Sequence, residues 1–186
     1  MNREFFIQDA VTVAKSLLGH FLVRKIDGKK IVTRIVETEA YMGVVDRACH
    51  AYGGRKTNRT SAMYKIGGYA YIYMIYGMYY MLNVVASSEN NPHAVLIRAV
   101  EPILPLSESN LMFTNGPGKL AKFLKIDLKF NKIDLISNSE LFLEQGLSFE
   151  FNVSCSKRIN IDYAGQEYVN KLWRFYIRGN KFVSRY

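Results

Sequence analysis

Between Ile66 and Ser88 the chain runs for 23 residues without a charged side chain. A stretch of that length is enough for a helix to cross a bilayer, so it separates two very different kinds of protein. Its six tyrosines point away from the membrane. Tyr69, Tyr71 and Tyr73 alternate, the period-two pattern of a strand, and phenols deep in lipid would need partners. Tyr76-Gly77-Met78 interrupts the run. The span therefore reads as two strands, over 69–75 and 79–86, joined by a tight turn. The turn leaves bulky side chains at a hairpin tip, which suits an element that wedges into a nucleic-acid duplex. Sheet packing by aromatic pairs is the plainer alternative. Against it, six phenols in the twelve residues 69–80 carry many hydroxyls that need partners or water.

The remaining pattern is mixed. A helix is expected from Asp9, its cap, to Leu18, with Val11, Ala14, Leu17 and Leu18 on one face and Gly19 ending it. Strands are expected over 20–25 and 31–38, joined at Asp27-Gly28, and over 94–100. The segment 41–65 reads as loop with short helical turns. Gly116-Pro117-Gly118 opens a helix to about Lys125. Short strands and turns fill 130–163, a helical piece covers 166–171, and a last strand spans 173–177. The order is neither βαβα nor all-β. It gives one α+β domain over 1–186, with a curved, mostly antiparallel sheet flanked by helices and a protruding aromatic β-hairpin.

Lys and Arg number 25 against 16 Asp and Glu, a net charge of +9, which suggests a polyanionic partner. The charge is uneven. Residues 41–65 carry +4 and 151–186 carry +5, whereas 127–150 carry −3. Two basic segments on one face would form a phosphate-binding surface. Two cysteines and three histidines, with no Cys-x-x-Cys or His-x-x-His, fit neither a disulfide scaffold nor a zinc site. No metal and no cofactor are expected. The N-terminus lacks the apolar core of a signal peptide. The expectation is an intracellular monomer without membrane contact, in the nucleoid or cytoplasm of a bacterium or in a nucleus.

Glu37-Thr38-Glu39-Ala40-Tyr41 closes a strand. Glu37, Glu39 and Tyr41 share one side of it, and a carboxylate leaving a buried strand is a candidate general base. A surface pair at a strand end is the plainer reading. Asn83 and Arg98 interrupt apolar strands, and a buried Arg98 would need a carboxylate such as Glu39, or a phosphate. His50, Tyr41 and the tyrosine hairpin would make a stacking slot for a nucleobase. Gly116 and Lys119 stand where a helix start could hold a phosphate.

These segments resemble the alkyladenine (3-methyladenine, methylpurine) DNA glycosylase family. The resemblance rests on Arg34-Ile-Val-Glu-Thr-Glu-Ala-Tyr-Met-Gly43, His50, Gly54-Arg55-Lys56-Thr57, Tyr71-Ile-Tyr-Met-Ile-Tyr-Gly-Met78, Asn83, Leu96-Ile-Arg98-Ala-Val-Glu-Pro102, Gly116-Pro-Gly-Lys-Leu120 and Arg174-Phe-Tyr-Ile-Arg-Gly179. These keep the family's order from about Val11 to Ser184. The resemblance implies an enzyme that flips alkylated, and also deaminated, purines from duplex DNA and hydrolyses the N-glycosidic bond with activated water. It implies that Glu39 is the general base and that Arg98 helps to hold the water, with a main-chain carbonyl near Ile161. It places the flipped base between Tyr41 and the pair His50 and Tyr73, with Asn83 screening purines. Tyr76 would fill the vacated stack beside Met78 and Tyr79. Arg55, Lys56, Thr57, Arg59, Gly116 and Lys119 would meet the DNA backbone. A single-step, monofunctional glycosylase is expected, since Lys56 and Lys65 are the nearest flexible amines and neither adjoins Glu39 in sequence. The rival is a domain that binds nucleic acid without catalysis and does not need Glu39. The chain departs from the family pattern at Ile66, where Pro is frequent, and at Asn160, where Gly is expected.

Overall fold

The computed structural model describes residues 1–104, 114–146 and 152–184. The end of the acidic segment, 147–150, lies outside the described residues. Among the described residues, eight strands form one sheet: β1 Phe21–Ile26, β2 Lys29–Tyr41, β3 Ala70–Ile75, β4 Tyr79–Ala86, β5 His93–Leu104, β6 Leu141–Glu144, β7 Val153–Ser156 and β8 Arg174–Ile177. Their order is β3-β4-β5-β2-β1-β6, with β8 pairing both β2 and β7, and every pairing is antiparallel. The described residues also form three α-helices, α1 Ala10–Ser16, α2 Pro117–Phe123 and α3 Gln166–Val169. The α+β expectation holds. The uncharged span is β3 and β4, and no helix among the described residues is long and apolar enough to cross a membrane.

Local chemistry explains the elements. Asp9 caps α1 by accepting from the Val11 and Thr12 N–H groups, and Gly19 takes a left-handed φ of 86° beyond the helix end. The buried face of α1 includes Ala10, Val13 and Ala14, whereas Val11 is only partly covered. Ala14, Leu17 and Leu18 of the expected face are buried, so the face holds, with Ala10 and Val13 added to it. Asp27 and Gly28 have φ of 49° and 75°, two consecutive left-handed residues that turn β1 into β2.

The strand β2 is longer than its pattern suggested. It continues through Glu39 to Tyr41, so these residues lie inside the sheet and not on its rim. Its partners change along its length. Residues up to Arg34 pair β1, whereas Glu37 to Glu39 pair β8. The register against β5 shifts at the handover, between Ile35 and Glu37 and again between Glu37 and Thr38. Such bulges re-aim side chains. Here Thr38 points to α1 and donates to the Ala14 carbonyl, while Glu37 and Glu39 turn to Arg98.

Both carboxylates are fully buried, which overturns the surface-pair alternative. Glu37 Oε1 accepts from Arg98 Nε at 2.9 Å, Arg174 Nε at 2.7 Å and Ser184 Oγ at 2.8 Å. Its Oε2 accepts from the Ser184 N–H at 2.7 Å. One side chain therefore joins β2, β5, β8 and the residue Ser184. Burial opposes ionisation of Glu37, but Arg98, the Ser184 N–H and Arg174 together hold its carboxyl below the ordinary range.

Removing one partner from such a cluster leaves an uncompensated charge. Glu37→Ala should lower the unfolding free energy by about 3–5 kcal/mol, seen as a lower urea midpoint. Because folding favours the ionised form, this contribution is complete above the ordinary carboxylate range. It is lost as pH falls through that range toward the lowered native value. An unchanged midpoint in Glu37→Ala would remove the cluster from the account of stability.

Candidate active site

The far half of β2 presents Glu39 and Tyr41 two residues apart, hence on one side, and they are bonded to each other. The Tyr41 hydroxyl donates to Glu39 Oε2 at 2.8 Å. Glu39 Oε1 accepts from the Ile159 N–H at 2.7 Å and lies 3.3 Å from the second guanidinium nitrogen of Arg98. Arg98 thus spans both carboxylates, reaching Glu39 as expected and Glu37 as well. Burial and the Glu39 charge push the Tyr41 phenol well above its ordinary value, so it stays a donor.

Two adjoining hollows lie beside this cluster, lined by the Glu39 partners Tyr41, Arg98 and Ile159 and not by Glu39 itself. The inner slot has an empty volume of about 330 Å³ and is walled by Tyr41, His50, Tyr71, Tyr73 and Asn83, with Cys49 and Met63 among the rest. The outer cleft, about 1200 Å³, is bordered by Tyr76, Arg98, Asn115, Gly116, Lys119 and Tyr163. Tyr41, His50, Tyr73 and Tyr163 line both. The structure therefore gathers all four expected base-binding residues around one slot. His50 and Tyr73 meet edge to face, 4.6 Å between centroids at 77°, so they form a corner and not one flat wall opposite Tyr41. Asn83 is buried, its amide donating to the Tyr71 and Met81 carbonyls.

Tyr71 and Tyr163 complete the walls and were not among the expected residues. The signal for Tyr71 was present, since it shares a strand face with Tyr73. Its hydroxyl bonds His50 Nδ1 at 2.8 Å, and burial pushes this phenol's pKa up while the nearby Arg59 charge opposes the rise. Behind Tyr41 lies Arg158, its guanidinium carbon 4.8 Å from the Tyr41 ring centre and 5.0 Å from that of Trp173. Arg158 is bidentate on Asp46, at 2.5 and 2.9 Å, and donates to the Ala40 carbonyl. Asn160, two residues on, has a φ of 58°. Asn tolerates this left-handed conformation, so it serves where the family pattern has Gly.

The hairpin tip is unusual. Tyr76 and Gly77 have φ of 52° and 66°, and the Met78 N–H donates to the Ile75 carbonyl at 3.1 Å. A left-handed Tyr is costly, on the order of 1 kcal/mol or more, and no packing offsets it, since Tyr76 is 83% exposed. Met78 is exposed too. Tyr79 is exposed on one side and packed on the other: a Cβ on Gly118 would come within 2.9 Å of its ring, so it lies against α2.

The basic residues divide. Arg158 and Arg174 are buried in ion pairs, so the +5 segment does not present all its charge outward. Arg55, Lys56, Thr57 and Arg59 are exposed, although the Thr57 N–H is already bonded to Thr60 Oγ1 within its turn. Lys119 borders the cleft, its ammonium 2.8 Å from Asn115 Oδ1. The Lys56 and Lys65 ammonium groups lie over the Tyr64 and Tyr69 rings.

Burial, then the Arg59 and Arg55 charges, push the His50 pKa down to about 4. The folded protein thus favours the neutral ring, and the matching stability is lost as pH falls from the ordinary histidine range toward that value. NMR of the His50 ring should show no protonation between pH 6 and 8, which follows from a pKa of about 4. Arg59→Ala should move its titration upward. Titration near neutrality in the unaltered protein would contradict the slot's electrostatics.

Comparison with known proteins gives the family. Residues 4–181 match the family described as methylpurine-DNA glycosylase (MPG). A Borreliella burgdorferi protein is 69% identical over 185 residues, covering both chains fully. A Natranaerobius thermophilus protein is 49% identical over 195 residues, covering 99% of this chain and 98% of its own. A Clostridium acetobutylicum protein is 46% identical over 198 residues, covering 98% and 96%. All three bear the name "Putative 3-methyladenine DNA glycosylase". The chain belongs to the methylpurine-DNA glycosylase family, and the slot behind its tyrosine hairpin is the candidate active site of a DNA glycosylase, a hydrolase of N-glycosyl bonds.

Proposed function

We propose that this enzyme excises cationic N3- and N7-alkylated purines from duplex DNA after rotating the nucleotide into the aromatic slot. The observation that carries the reading is the setting of Glu39. It is fully buried, bonded to a slot wall through Tyr41 and to a cleft residue through Arg98. Its three contacts leave acceptor capacity on the carboxylate for one more donor, a water. In the proposed step that water attacks C1′ and gives its proton to Glu39. The N9–C1′ bond breaks with its electron pair on the purine, and the cationic base leaves neutral. The Glu39 charge also offsets the oxocarbenium-like charge on the sugar, and Arg98 orients both carboxylate and water. Neutral hypoxanthine would leave as an anion unless protonated, and we assign no acid to that step. Alkylated purines are therefore the better-supported substrates.

Tyr76 is the proposed wedge. A strained, exposed ring on the rim of the cleft can fill the space that the extruded base vacates. Tyr79, packed on Gly118, sets the direction of the hairpin. Arg55, Lys56, Arg59 and Lys119 supply charge toward phosphates, while the buried arginines serve the site's own carboxylates. The enzyme is proposed to act as a monomer and to stop at the abasic site.

Glu39→Gln should keep its affinity for lesion DNA and lose base release by roughly 100-fold or more, read as free 3-methyladenine in a single-turnover assay. Near-normal release would take Glu39 out of the mechanism. In the same assay, borohydride should trap no protein–DNA adduct. A trapped adduct that disappears in Lys119→Ala would make this a lyase acting through the cleft amine.

Tyr76→Ala should slow excision from duplex more than from single-stranded DNA, because unstacking costs a few kcal/mol less without a partner strand. Equal defects in the two contexts would leave Tyr76 no part in opening the duplex.

A further inference from the structure

Four residues line both the slot and the cleft: Tyr41, His50, Tyr73 and Tyr163. They form the passage between the two hollows. Tyr41 is bonded to Glu39 and backed by Arg158, His50 is bonded to Tyr71, and Tyr73 packs against His50. Tyr163 is the loose member. It is 71% exposed, second among the aromatics of the described residues only to Tyr76 at 83%. Its hydroxyl donates to the Ala48 carbonyl at a long 3.3 Å.

The backbone beneath Tyr163 is fixed. Ile161 and Ala164 are buried with Ala48 in a small apolar cluster, and the Ala164 N–H donates to the Ile161 carbonyl at 2.9 Å. Asn160 and Gly165 bracket the segment with φ of 58° and 84°. What remains free is rotation about the side-chain torsions of Tyr163. A ring held by one long hydrogen bond, at a passage whose other walls are fixed, can swing aside and return at little cost.

We propose that Tyr163 is a specificity-determining residue of the slot. It is the aromatic edge that closes behind an entering purine and limits how large a substituent the slot retains. The inference rests on the reading of the slot as the base-binding site and adds to it the size discrimination among alkylated purines. A wall that must swing back favours a base that leaves room for it. A bulkier N7 substituent holds the ring open and loses its contact, whereas a methyl group does not.

The test compares excision of 7-methylguanine and of N7-(2-hydroxyethyl)guanine from the same duplex by the full-length protein and its Tyr163→Ala and Tyr163→Phe variants. The unaltered protein should prefer the methyl lesion. Tyr163→Ala should lower that preference roughly tenfold, the discrimination an apolar wall gives for a small change in substrate size. Tyr163→Phe keeps the ring and should keep the preference. An unchanged ratio in Tyr163→Ala would overturn the proposal, as would an equal shift in both variants, which would place the effect in the hydrogen bond. Tyr41→Ala serves as the control for the underlying reading. If it leaves both rates intact, the slot is not the base site and the proposal falls with it. If it slows both while Tyr163→Ala leaves the ratio unchanged, only the role of Tyr163 is lost.

Discussion

One buried carboxylate holds this molecule to its shape. Glu37 accepts from two arginines and a serine that come from β5, β8 and residue Ser184. A charge without solvent must be paired or it drives the structure apart, and here the pairing groups lie 61 to 147 residues away in sequence. Arg98 is the shared member, since it also reaches Glu39. The orientation of the proposed base is therefore inherited from a contact that has no chemical task of its own. The bulged register of β2 against β5 makes this possible by turning Glu37, Glu39 and Arg98 toward one another across the sheet.

The second organising element is the segment that follows β7. Arg158 lies under Tyr41, the Ile159 N–H bonds Glu39, Asn160 turns the chain and Ile161 packs on Ala48. Within four consecutive residues the chain supports a slot wall, a carboxylate and the loop that carries His50. Asp46 completes the support, because the same carboxylate that pairs Arg158 also accepts from the Met42 and Ala48 N–H groups. The loop over 41–65 is thereby ordered by polar contacts at Asp46 in addition to the apolar cluster of Cys49, Ala51, Ala62 and Met63.

Much of this was legible in the sequence. The alternation of Tyr69, Tyr71 and Tyr73 places a hairpin, Asp9 and Gly19 delimit a helix, and Asp27-Gly28 places a turn, because each signal is local. The candidate base-binding residues were legible through family resemblance, and the fold brings Tyr41, His50, Tyr73 and Asn83 to one slot. What escaped was long-range. Two glutamates two positions apart look alike until the arginines find them, so the distinct surroundings of Glu37 and Glu39 could not be read. Tyr79 reads as part of the tip until α2 is seen against it. The arginines of the last basic segment read as DNA contacts, yet Arg158 and Arg174 face inward. Net charge counts groups and is blind to where they point.

The Tyr41–Glu39 hydrogen bond has a consequence for where the work of catalysis falls. Tyr41 and the Glu39 carboxylate sit on one continuous strand and are joined by a hydrogen bond within it. No domain has to close and no loop has to fold to bring them together. On the proposed reading, the energy needed to reach the reactive arrangement is then borne chiefly by the duplex and scarcely by the enzyme. Recognition becomes a question put to the DNA's own mechanics: a nucleotide that is weakly stacked or poorly paired presents itself at low cost, and a sound one remains expensive to extract. Discrimination would begin, in that sense, in the helix being searched, before any side chain has touched the base.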